Sequence, residues 1–97
     1  MTRGRRHRDV CGAADLTISV QDTVGSVIAF AGIVHLGATV PERFLRCILD
    51  CRDMVTLTTA DFDAPVRDGG VLPPMAPGLG ITVRRDALGG SVARWSA

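Results

Sequence analysis

The chain has 97 residues, room for one small domain and not two. Hydrophobic residues make up 46% and charged residues 22%, which excludes a disordered tail, and a net charge of +1 excludes a strong field for nucleic acid or membrane. Four aromatics, 11 Gly and 5 Pro predict a thin aliphatic core and much loop.

Residues 1–5 carry no clear element and are expected to be disordered or unassigned. The basic cluster Arg3, Arg5, Arg6, His7 and Arg8 has no interleaved aromatic to stack on bases, so a solvated N-terminus is expected and not a nucleic-acid arm. Residues 6–14 can form a short helix ending near Asp15. Residues 16–20, LTISV, are apolar and β-branched and predict a buried strand. Gln21, Asp22 and Thr23 then make a turn, with Asp22 or Thr23 as the expected N-cap of the next helix. That helix, predicted over 24–37, is apolar nearly all round, so more than one side must be covered.

Pro41 suits the first turn of another helix, with Phe44, Leu45 and Ile48 on one face. VTLTTADF at 55–62 predicts a strand. Asp68-Gly69-Gly70 is a turn signal between two extended stretches. Pro73, Pro74 and Pro77 forbid regular structure before a last short strand, ITV, at 81–83. Gly89-Gly90 breaks any helix begun at Asp86. In this reading strand 16–20 stands between two helices with no partner of its own. Its backbone groups would go unmet, so the first half reads as one βα unit of a larger parallel sheet or barrel.

Individual residues that could carry chemistry resolve mostly to structural roles. Cys11, Cys47 and Cys51 match no zinc spacing and are expected as reduced thiols in a cytoplasmic protein. The uncharged run 24–40 invites a single-span reading, but it is short and holds three Gly and a His; no membrane insertion is expected. His35, deep in the apolar helix, is expected to be packed and hydrogen-bonded. PGLGI at 77–81 lacks the spacing of a phosphate loop and predicts a tight turn. Asp61, Asp63 and Asp68 match no calcium-loop spacing. No catalytic constellation of Ser, His and Asp stands out.

Two segments carry a family resemblance: LTISVQDTVGSVIAFAGIVHLGAT (16–39) and DAPVRDGGVLPPMAPGLGITVRRDAL (63–88). Together they resemble the C-terminal end of the mandelate racemase and muconate-lactonizing branch of the enolase superfamily. The QDTVGS segment is similar to that of cis-3-hydroxyproline dehydratase-like members. Asp15 stands where similar sequences usually place Gly at a helix-to-strand turn, and Asp tolerates the left-handed conformation better than most residues.

The resemblance implies an α/β architecture: residues 6–40 as the last strand and helix of a TIM-type (β/α) barrel, and 41–97 as a tail returning to an α+β capping domain. It implies Mg²⁺-assisted removal of a proton α to a carboxylate, with a lyase or isomerase outcome and a carboxylate-bearing small molecule as substrate. Gln21, Asp22 and Thr23 would then be substrate-binding, at the C-terminal end of a barrel strand. No catalytic residue and no metal ligand is assigned, since one strand end cannot supply three carboxylates. All eleven basic residues are Arg, so the usual lysine base is absent and the chain alone is expected to be inactive. The competing readings are a small module that pairs strand 16–20 with another chain, or self-associates through exposed apolar surface, and a single-span membrane protein.

Overall fold

The computed structural model describes residues 1–96. Helix α1 spans Thr2–Ala13. It begins before residue 6, so residues 1–5, expected to be unassigned, are helical from Thr2 onward. The Arg5 amide donates to the Met1 carbonyl, and Gly4 lies so close to α2 that a Cβ there would meet Leu36 Cδ2 at 2.9 Å. The turn after the helix passes through Asp15, which takes φ 59° as expected for the residue standing there. Strand β1 follows at Ile18–Val20.

The next helix, α2, runs Val27–Gly37. Its N-cap is Ser26, whose hydroxyl accepts from the Ile28 amide, and not Asp22 or Thr23. The chain needs three further residues to turn, and it does so through Val24 at φ 53°. At about 16 Å from end to end, eleven residues fall well short of a ~30 Å hydrocarbon layer. Among the described residues no helix is long and apolar enough to cross a membrane.

The largest departure from expectation follows Pro41. A single 3₁₀ turn at Glu42–Phe44 leads into strand β2, Leu45–Ile48, where a helix was expected. Strand β2 pairs in parallel with β1, with Ser19 opposite Cys47 and Val20 opposite Ile48. Strand 16–20 is therefore not solitary, and the last parallel strand of the chain is β2. The physical reason is that the eight residues between Pro41 and Asp50 are too few to hold a stable helix, while the β1 edge offers backbone partners at once. Gly37 makes the close crossing between helix and strand: a Cβ there would sit 2.4 Å from Ile48 Cδ1.

A 3₁₀ turn at Arg52–Met54 precedes two antiparallel ribbons. Strand β3 (Ala60–Phe62), at the end of the 55–62 stretch, pairs with β6 (Ile81–Val83). Strands β4 (Val66–Arg67) and β5 (Gly70–Val71) form the hairpin that Asp68-Gly69 predicts. Both turn residues have positive φ, 49° and 74°, which gives the twist of a type I′ turn. A further 3₁₀ turn lies at Arg85–Ala87.

The core is narrow. Phe30, Ala31 and Val34 of α2 are buried, as are Val20, Val40, Phe44, Cys51, Ala60 and Ala64. Phe30 meets Phe62 edge to face at 5.9 Å between centroids, and the Arg52 guanidinium lies 4.0 Å from the Phe30 ring centre. Much apolar surface is left outside: Met75 is 98% exposed and Trp95 87%. The accessible surface is 7490 Å², against about 5,300 Å² expected for a compact monomer of this mass. The radius of gyration, 14.9 Å, also exceeds the ~13 Å of a compact domain of about 100 residues.

Candidate functional site

In a parallel α/β arrangement the chemistry collects beyond the C-terminal ends of the strands. Here that is the loop between β1 and α2, and it holds Gln21, Asp22 and Thr23. Gln21 and Thr23 are exposed and Asp22 is half-buried. The three are brought to one loop by the end of β1 at Val20 and the start of α2 at Val27, whose N-terminus carries unpaired amides and the positive end of the helix dipole.

Asp22 Oδ1 is buried without a hydrogen-bond partner. Such a group normally finds one, so the loop holds this carboxylate against a desolvation cost. Two neighbours, not singled out from sequence, set the geometry. Gly25 has no room for a side chain: a Cβ would lie 2.4 Å from Asp22 Oδ2 and equally close to the Ala29 methyl. Val24, β-branched, takes a left-handed conformation that costs on the order of 1–2 kcal/mol. The glycine after a strand-end acid was a readable signal; the strained valine had none.

The remaining candidates are structural. His35 Nε2 lies 3.1 Å from the Leu79 carbonyl oxygen, tying α2 to the PGLGI turn. That turn is tight as expected, with Gly78 at φ 69° and Gly80 at φ 65°, and the Gly80 amide donates to the Pro77 carbonyl. Asp61 forms a two-pronged pair with Arg84 across the β3–β6 ribbon, which holds its carboxyl below the usual range. Hydrogen bonding from Arg52 does the same for Asp50, against an opposing contribution from burial. The three cysteines are free thiols: Cys51 buried, Cys11 half-buried and Cys47 exposed.

Among the described residues no group of three or more His, Cys, Asp or Glu could hold a metal ion. Asp22 is the carboxylate at the β1 end, and hard divalent cations need several oxygen ligands. The described residues do not by themselves fit a magnesium site.

Comparison with known proteins places this geometry. Residues 1–87 match the family described as Enolase C-terminal domain-like. The cis-3-hydroxy-L-proline dehydratase of Roseibium aggregatum is 36% identical over 97 residues, covering 99% of this chain and 26% of that enzyme. A solved Aspergillus oryzae protein of the mandelate racemase/muconate lactonizing enzyme type superposes with a TM-score of 0.90 at 61% identity, over 95% of this chain and 26% of its own. A related Roseovarius nubinhibens protein, solved in complex with magnesium, gives 0.91 at 52% identity over 96% of this chain and 26% of its own. The chain thus spans about a quarter of the length of these relatives. The protein belongs to the enolase C-terminal domain-like family.

Proposed function

We propose that this chain supplies the terminal strand–helix–strand unit and tail of a barrel enzyme that, with Mg²⁺, removes a proton α to a carboxylate, ending in elimination or isomerisation. The observation that carries this reading is the 61% identity and 0.90 TM-score to a mandelate racemase/muconate lactonizing enzyme-type structure over 95% of the chain. In this reading β1 and β2 join further parallel strands, and residues 41–97 after β2 return to a capping domain. The excess of exposed apolar surface supports it, since a tail built to be covered leaves such side chains bare. The free thiols suit a cytoplasmic location, where they stay reduced.

Within that enzyme Gln21, Asp22 and Thr23 contact substrate. A carboxylate repels a carboxylate, so Asp22 faces a cationic or hydroxyl group of the substrate, and the helix α2 terminus faces the substrate's own carboxylate. Alone the chain is inactive: it holds no lysine base and, among the described residues, no set of metal-binding carboxylates.

The test is a single polypeptide in which this chain replaces the matching quarter of the Aspergillus oryzae protein. The fusion is expected to turn over cis-3-hydroxy-L-proline or another carboxylate with an acidic α-proton when Mg²⁺ is added, and the free chain to give none. Losing a charge-assisted contact costs about 1.5–3 kcal/mol, so Asp22→Asn in the fusion should lower kcat/KM by about tenfold or more. Turnover by the free chain, or a folded fusion inert toward such substrates, overturns the proposal.

A further inference from the structure

Position 25 needs a glycine for space and not for its backbone. The described glycines with positive φ are Gly69, Gly78 and Gly80, and Gly25 is not among them, so an L-residue could take up its conformation. Yet a Cβ at Gly25 would overlap Asp22 Oδ2 and the Ala29 methyl, and would lie 3.1 Å from Asp22 Cγ. Gly4, Gly37 and Gly80, which are also closely packed, press on Leu36, Ile48 and Pro74. Of these four glycines Gly25 is the one set against a charged group.

The two oxygens of Asp22 are not equivalent. Oδ1 is enclosed and has no hydrogen-bond partner. Oδ2 is not enclosed, and it rests where a side chain at position 25 would stand. The chain reaches this arrangement through Val24 at φ 53°, which turns Gly25 back beneath Asp22. Among the described residues no cation pairs with Asp22; the ion pairs are those of Asp9, Asp50 and Asp61. A carboxylate with one oxygen shut away offers the other as its acceptor. A single acceptor suits a point donor, an ammonium or hydroxyl group, and not a planar guanidinium, whose fork needs both oxygens.

We propose that Gly25 is the positioning residue of this loop: by leaving empty the space that Oδ2 occupies, it fixes Asp22 with Oδ2 as the one acceptor turned to the substrate. This rests on the reading that Asp22 contacts substrate. It adds which oxygen makes the contact, what holds that oxygen in place and which donors it takes.

Gly25→Ala is made together with Ala29→Gly, which removes the other atom in the way, and is compared with Ala29→Gly alone. In the chain itself, carbodiimide-driven coupling of glycine ethyl ester is mapped by mass spectrometry. Asp22 should be marked several-fold more slowly than the exposed Asp15, and Gly25→Ala should bring the two rates together by expelling the carboxylate into solvent. In the fusion with the Aspergillus oryzae protein, Gly25→Ala should raise KM about tenfold or more, the loss of one charge-assisted contact, with kcat little changed. A residue that merely kept the fold would lower kcat as active enzyme was lost and leave KM where it was. With Asp22→Ala already in the fusion, Gly25→Ala should have no further effect, because the two act through one contact. Asp22 marked as fast as Asp15 in the unsubstituted chain, or an active fusion whose KM is indifferent to Gly25→Ala, overturns the proposal. Slow marking of Asp22 with an inert fusion upholds the held carboxylate and removes the proposed activity instead.

Discussion

Residues 1–48 and residues 49–96 solve the same problem differently. The first half makes a parallel strand–helix–strand unit whose helix buries Phe30, Ala31 and Val34. The second makes two antiparallel ribbons, Ala60–Phe62 with Ile81–Val83 and Val66–Arg67 with Gly70–Val71, joined by proline-rich loops. Antiparallel ribbons satisfy their backbone locally, through tight turns, and need little core. A parallel pair needs its crossover helix packed on it. The contrast teaches where the stability sits: the tail contributes mainly Cys51, Ala60 and Ala64 to the core and leaves Leu72, Met75, Val92 and Trp95 almost bare.

The sharpest way to break that contrast is Phe30→Ala. Phe30 is 1% exposed and its ring reaches the second half through Phe62 and Arg52. Truncating a buried Phe costs about 3–5 kcal/mol, which takes a large part of the stability of a domain with so small a core. In urea, both halves should lose structure together, with a lower midpoint. An unchanged midpoint would mean that the halves fold independently. A smaller effect, confined to the tail, is expected from Gly69→Ala. Gly69 sits at φ 74° with open space around it, so the cost is backbone strain alone, about 1–2 kcal/mol. Amide exchange in 66–71 should quicken while α2 stays protected.

Much of this was legible before any coordinates. Asp68-Gly69 specifies its turn type chemically, Asp15 tolerates the left-handed exit of α1, and His35 in an apolar helix had to find an acceptor, which proved to be Leu79. The apolar run 24–37 announced a covered helix but not its start, because the loop before it turns through Val24, a residue whose sequence gives no hint of positive φ. Strand β2 was misread for a physical reason. Phe44, Leu45 and Ile48 satisfy a helical period as well as a short buried strand, and runs of four residues carry too few periods to separate the two. Only the pairing with β1, a tertiary fact, decides it. Of the candidate site, the loop 21–23 was legible from its place after a strand, whereas the orphaned Asp22 oxygen and the packing of Gly25 against it belong to three dimensions.

A weaker link between the halves is the contact of His35 with Leu79. His35→Phe keeps a ring in the apolar surroundings but leaves the carbonyl without its partner. A neutral hydrogen bond of this kind contributes about 0.5–1.5 kcal/mol, so the urea midpoint should fall slightly. Exchange at Gly80, in the turn that carries Leu79, should rise more than exchange within α2. Equal changes in both places would show that the bond serves the helix and does not fasten the tail.

The smallest expected effect is also the one with a sign in pH. Asp50 accepts from the Arg52 side chain and from the Arg52 amide, and the same guanidinium covers Phe30. These bonds favour the carboxylate, so the folded chain holds the Asp50 carboxyl below its ordinary value of about 3.9. A lowered folded value means stability that is fully present above pH ~4 and is lost as pH falls through the folded pKa. The group is half open to solvent and screened, so the contribution is a fraction of that of a buried pair. Asp50→Asn should therefore lower the midpoint slightly at pH 7 and not at pH 2.5, with the two curves converging as the pH drops. If they stay parallel through that range, Asp50 acts through the shape of its side chain and not through its charge, and Arg52 is held over Phe30 by packing alone.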